Sequence, residues 1–97
     1  MWILRARADS ASLTFRIQSG AIKTVGRAAR ADFIVDAALV SRLHCRLTAT
    51  NDSLEVEDLK STNGTFVNDK RIERATLANG DRLRVGRFEL QVEQQPS

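Results

Sequence analysis

The sequence predicts an all-β protein built as a sandwich or a barrel. Apolar and polar residues alternate with a period of two in segment after segment, which is the pattern of strands with one buried face. Turn-forming clusters interrupt these segments at Ser19-Gly20, Asn51-Asp52-Ser53, Asn63-Gly64, Asn68-Asp69, Asn79-Gly80-Asp81 and Gly86-Arg87. Many short strands with frequent turns indicate all-β architecture. No stretch offers a helix of useful length, since the alanine-rich Ala28 to Ala31 is too short to stand alone.

In chain order, a first short strand is expected at Trp2 to Leu4. Leu13, Phe15 and Ile17 alternate with Thr14 and Arg16 as a second. Short strands follow at Ala21 to Val25 and Phe33 to Val35. Leu43, Cys45 and Leu47 then alternate with His44 and Arg46, and Leu54 and Val56 with Glu55 and Glu57. Thr65 to Val67 is a further short candidate. Leu83 and Val85 alternate with Arg82 and Arg84, and Phe88, Leu90 and Val92 with Glu89 and Gln91. Residues 94–97, Gln-Gln-Pro-Ser, read as a frayed tail or the start of a linker after a domain of residues 1–93.

Ninety-seven residues, 42% of them hydrophobic, suit one domain with one modest core. The single Cys45 cannot form an intrachain disulfide, which makes a reducing, intracellular setting the simpler expectation, cytoplasmic or, in a eukaryote, nuclear. The amino terminus reaches charge at Arg5 without a signal-like apolar stretch, and no apolar run is long enough to span a bilayer. Asn51-Asp52-Ser53 and Asn63-Gly64-Thr65 match the glycosylation pattern, but without a secretory signal both read as chance. The net charge is +3, and twelve of the fifteen basic residues are arginine. Arginine favours forked recognition of phosphate or carboxylate. The basic residues are scattered among acidic ones rather than gathered in a patch, so the charge permits an anionic partner without demanding nucleic acid.

Three polar segments carry the chemistry: Gly26-Arg27-Ala28-Ala29-Arg30, Ser41-Arg42-Leu43-His44 and Ser61-Thr62-Asn63-Gly64-Thr65. Loops of a sandwich cluster at the ends of its sheets. Sharing one end, these three would assemble a pocket suited to a phosphate dianion, with an arginine fork, hydroxyl donors and turn amides. Asn63-Gly64 between apolar runs is itself a hairpin signal. Catalysis is not expected. A catalytic Ser41–His44 pair would need an orienting acid and an oxyanion hole, and the sequence has no nucleophile-elbow string. One Cys and one His cannot build a structural zinc site, and no phosphate-loop string supports nucleotide binding. No cofactor or metal is therefore expected. Val-Gly-Arg occurs twice, at residues 25–27 and 85–87. Arg87, in a tight connection between two regular strands, reads as a solvated turn residue. Arg82 and Arg84 read as residues of a solvated strand face.

These three segments resemble the forkhead-associated (FHA) domain, a phosphothreonine-peptide-binding module. Gly26-Arg27, Ser41-Arg42-Leu43-His44 and Ser61-Thr62-Asn63-Gly64-Thr65-Phe66-Val67-Asn68 match its pattern in order and spacing, and Leu77 to Asp81 and Val85-Gly86 fit its closing strands. The resemblance covers almost the whole chain. It implies a sandwich of about eleven mostly antiparallel strands with binding loops at one end. It further implies that Arg27 clamps the phosphate, that Ser41 and Thr62 donate to it, and that Arg42 and Asn63 touch the peptide, Asn63 holding main chain. Gly26, His44, Ser61, Gly64 and Asn68 would support the loops.

The implied function is a phosphothreonine-dependent adaptor in Ser/Thr-kinase signalling. Its partner would be a phosphothreonine-containing kinase or kinase substrate, and the isolated domain would be monomeric, with no membrane or nucleic-acid role. The alternatives are a phospho-independent interaction domain, or an arginine-rich nucleic-acid-binding module. Two positions depart from the pattern. Asp69 replaces a common glycine, from which a less strained turn or a bulge is expected after Asn68. Leu39 stands where some members carry a charged residue that reads the peptide's +3 position, which points to an apolar preference there.

Overall fold

The alternating segments fold as strands in a computed structural model that describes residues 1–6 and 13–96. The chain forms β1 (Trp2–Ala6), β2 (Thr14–Ile17), β3 (Ile22–Gly26), β4 (Phe33–Ile34), β5 (Cys45–Ala49) and β6 (Leu54–Asp58). It continues with β7 (Thr65–Val67), β8 (Lys70–Ile72), β9 (Arg74–Leu77), β10 (Arg82–Val85) and β11 (Phe88–Gln94). One sheet has six strands in the order β2-β1-β11-β10-β7-β8, and the other has five in the order β4-β3-β5-β6-β9. Every strand pairing is antiparallel except the short β3–β4 contact. Among the described residues no helix is long and apolar enough to cross a membrane.

The two inner faces meet in one core. Trp2 and Leu4 from β1, Leu83 and Val85 from β10, and Leu90 and Val92 from β11 face Val25, Cys45, Leu47, Leu54, Val56 and Leu77 of the other sheet. Phe15 of β2 stacks on Phe33 of β4 with ring centroids 4.6 Å apart, closing the sandwich along one side with an offset aromatic pair. Cys45 is fully buried, and burial pushes its thiol pKa far up, so it behaves as a small core residue.

Two strands escape the alternation argument. β8 is Lys70-Arg71-Ile72, a mostly charged strand at a sheet edge, where charge blunts unwanted pairing. β9 buries only Ala75 and Leu77 on its inner side, and alanine gives little signal. Two turns also differ from expectation. Asn68 and Asp69 both take left-handed conformations, with φ of 50° and 70°, between the paired residues Val67 and Lys70. This is a two-residue hairpin with the primed geometry, not a less strained turn or a bulge. Asn63-Gly64, by contrast, joins no hairpin, because β6 and β7 lie in different sheets. β11 runs through Gln94, and the Gln95 N–H donates to the Met1 carbonyl. The expected tail thus begins inside the pairing, and Ser97 lies outside the described residues.

Candidate functional site

Strand register places the three loops together. Val25 of β3 pairs with Cys45 of β5, and Cys45 pairs with Asp58 of β6. The segments leaving β3, entering β5 and leaving β6 must therefore share one end of the five-stranded sheet. Backbone bonds join them. The Arg27 N–H donates to the Ser41 carbonyl at 2.9 Å and the Ala28 N–H to the Arg42 carbonyl at 3.0 Å. That approach requires glycine at residue 26, since a Cβ there would lie 2.0 Å from the Arg42 carbonyl oxygen.

Within this frame the donors are held but not spent. Arg27 is exposed, and its Nε donates to the Val40 carbonyl at 3.1 Å. This bond anchors the guanidinium, and both terminal nitrogens are without a partner among the described residues. The Ser41 Oγ accepts the Thr62 N–H at 3.1 Å, so its own hydroxyl proton stays available to donate to a ligand. Asn63 donates from Nδ2 to the Leu39 carbonyl at 3.0 Å, which leaves its Oδ1 and its second proton free. Arg27 and Arg42 line one depression of about 490 Å³ with Ala28 and Asp36. Asp36 forms no ion pair there among the described residues.

His44 is the buried post beneath the loops. It is fully buried, takes the Ser41 N–H on Nδ1 at 3.1 Å, and bonds the Gly64 carbonyl through Nε2 at 2.8 Å. Because a carbonyl accepts only, Nε2 carries the proton and Nδ1 is the acceptor. The ring thus ties the Ser41 loop to the Asn63-Gly64 bend and serves position rather than proton transfer.

A second post is Asp58, which sequence reasoning missed. Its Oδ1 accepts the Ser61 and Thr65 hydroxyls at 2.5 and 2.7 Å, and its Oδ2 accepts the Ser61 N–H at 3.1 Å. Ser61 Oγ in turn accepts the Gly64 N–H at 3.0 Å. Partial desolvation pushes the Asp58 pKa up, but the hydrogen bonds from Ser61 and Thr65 more than offset it. The carboxyl therefore titrates below the ordinary aspartate value. With its folded pKa depressed, Asp58 holds the loop above the ordinary aspartate range and lets go as pH falls through the lowered value. The available signal was an aspartate three residues before a serine in a turn.

The second Val-Gly-Arg is closer to the site than expected. Gly86 (φ 61°) packs where a Cβ would sit 2.4 Å from the Leu39 carbonyl oxygen, and its N–H donates to Gly64 at 3.3 Å. Arg87 is exposed and lines an apolar groove of about 510 Å³ with Ala37, Ala38, Leu39 and Phe88. Asn68 falls elsewhere. It lies at the far end of β7, where its side chain bonds Asp81 at 3.0 Å and the Arg82 N–H at 2.9 Å. It therefore supports the turn before β10 and not the loop cluster.

Comparison with known proteins gives a consistent picture. The family model described as FHA domain matches residues 23–86. The glycogen accumulation regulator GarA of Mycobacterium tuberculosis is 40% identical over 70 residues, covering 72% of this chain and 43% of that protein. The chain thus spans less than half the length of this curated relative. A solved structure described under phosphothreonine-dependent FHA domain interactions superposes with a TM-score of 0.90 at 31% identity, covering 99% of this chain and 98% of that one. The FhaA FHA domain, solved in complex with the intracellular domain of Rv3910, gives 0.88 at 31% identity, covering 96% and 100%.

Proposed function

The chain belongs to the FHA domain family, and on that premise we propose that it is a phosphothreonine-dependent peptide-binding adaptor in Ser/Thr-kinase signalling. The observation that carries this reading is the convergence of Arg27, Ser41, Thr62 and Asn63 from distant parts of the chain, each with donor capacity unspent. Arg27 grips the phosphate with its terminal nitrogens as a charge-assisted fork. Ser41 and Thr62 donate hydroxyls to the remaining oxygens. Arg42 adds positive charge at the rim, and Asn63 holds the peptide main chain with its free Oδ1 and second amide proton.

An unmodified threonine leaves these donors short of partners, at roughly 1–3 kcal/mol for each one shut off from water. This is a binding function and calls for no catalytic group. The partner is a protein phosphorylated on threonine, either a kinase or its substrate, met by a monomeric domain inside the cell. The apolar groove of Ala37, Ala38, Leu39 and Phe88 adjoins the Asn63–Leu39 contact and takes an apolar side chain at the peptide's +3 position.

The phosphate charge supplies the test. Its second proton binds near pH 6, and the pocket favours the dianion, so affinity for a phosphothreonine peptide weakens as pH falls below about 6. Titrations between about pH 5 and 8 that give a flat profile would contradict dianion recognition.

A further inference from the structure

Resting on the phosphothreonine reading, we infer that the outer face of the six-stranded sheet carries a second anion site, an Arg71–Phe66–Arg84 platform that takes an acidic side chain of the same peptide. Strand register makes the platform. Phe66 of β7 pairs with Arg84 of β10 on one side and Arg71 of β8 on the other, so all three stand in one row. The Arg84 guanidinium lies 4.2 Å from the centre of the Phe66 ring, a cation–π stack that fixes its plane. Its Nε is buried and has no hydrogen-bond partner among the described residues.

The charges here are unanswered. Arg5, Arg46, Arg74 and Arg82 each have a carboxylate within hydrogen-bonding or ion-pair distance. Among the described residues Arg71 and Arg84 have none. Glu89 is the register partner of Arg84, but its carboxylate turns to Arg82 at 3.6 Å. Glu73, two residues from Arg71, forms no ion pair among the described residues either. Two unneutralised arginines flanking an aromatic ring present planar forks, which match a planar carboxylate.

The platform also adjoins the recognition loop. Arg71 Nε and the Phe66 ring lie 2.9 and 3.2 Å from the point where a Gly64 Cβ would stand. A peptide held at Asn63 reaches the platform within about three extended residues, roughly 10 Å. The occupant is therefore an aspartate or glutamate flanking the phosphothreonine, at a position other than the +3 residue that the Ala37–Leu39 groove takes.

The test is a charge cycle read by fluorescence anisotropy at low ionic strength. Three phosphothreonine peptides are compared: one with glutamates on the amino-terminal flank, one with them on the carboxy-terminal flank, and one with glutamines throughout. The acidic-to-neutral affinity ratio is taken within each protein variant, so changes at the phosphate site cancel. One acidic peptide is expected to bind about three- to tenfold tighter than the neutral one, as fits one or two exposed charge pairs. That ratio should fall to near one in Arg71→Gln and in Arg84→Gln, and added salt should erase it.

Arg71 is exposed, so Arg71→Gln decides the matter if Arg84→Gln fails to fold. A wild-type ratio near one for both flanks, or a ratio that survives Arg71→Gln, overturns the platform while leaving the phosphothreonine reading intact. Failure of every phosphopeptide to bind overturns the phosphothreonine reading and the platform with it.

Discussion

Arg27→Ala abolishes phosphothreonine-peptide binding, with affinity falling at least about 100-fold, while Arg87→Ala changes it less than about threefold. The two arginines follow the same Val-Gly dipeptide, but their surroundings differ. Arg27 is anchored by Nε to the Val40 carbonyl and lines the depression shared with Arg42. Two charge-assisted bonds at about 1.5–3 kcal/mol each account for the loss. Arg87 sits at the edge of the apolar groove, so its removal alters peptide preference more than phosphate affinity. Arg27→Lys keeps the charge without the fork and falls between the two. Anisotropy titrations of the three variants, each with a matched thermal melt, decide the matter. Equal losses in folded Arg27→Ala and Arg87→Ala would mean that the phosphate is held elsewhere.

Gly26→Ala is the second large effect, and it acts on the scaffold. A methyl at residue 26 would stand 2.0 Å from the Arg42 carbonyl oxygen and 2.7 Å from its carbon. These are backbone atoms and cannot swing aside. Relief requires the Ser41–Leu43 segment to retreat, which breaks the Arg27–Ser41 and Ala28–Arg42 backbone bonds. Overpacking at about 1–3 kcal/mol and two lost hydrogen bonds at about 1 kcal/mol each give a destabilisation of about 3–5 kcal/mol. For a domain of this size, each kcal/mol moves Tm by about 4–8 °C, so the melt should drop by more than about 12 °C. Phosphopeptide binding should fall with it, because the segment that retreats carries Ser41. A drop under about 3 °C would contradict the close approach.

Much of this structure was legible in the sequence, and the exceptions have physical causes. Strands that bury Leu, Ile, Val and Phe on alternate positions announce themselves, and the structure has strands at all nine expected segments. β8 and β9 were silent because one is a charged edge and the other packs an alanine and a single leucine. Asn63-Gly64 carried a hairpin signal, yet the chain uses it to cross between sheets, with positive φ at Lys60 and Gly64. Local turn chemistry reports a bend and not which strands it joins.

The same limit governs the site. Arg27, Ser41, Thr62 and Asn63 were visible as motif residues, and the register of β3, β5 and β6 brings their loops together. The resemblance groups Asn68 with them, but three residues of β7 carry it to the opposite end of the strand. Gly86 acts through long-range packing on Leu39, which no local pattern encodes, whereas Asp58 acts on Ser61 and Thr65, three and seven residues on, through a side-chain turn that strand alternation does not report. Arg84 shows the converse. Its place in the β10 alternation marked it as solvated, whereas its Nε is buried against Phe66.

The central claim is that this pocket recognises the phosphate on a threonine. The most direct measurement is fluorescence-anisotropy binding of one peptide library in three matched forms, bearing phosphothreonine, phosphoserine or unmodified threonine. The account predicts saturable binding of the phosphothreonine form, weaker binding of the phosphoserine form, and none of the unmodified form. Equal binding of the unmodified and phosphorylated forms, or binding of no form at all by the folded protein, would contradict it.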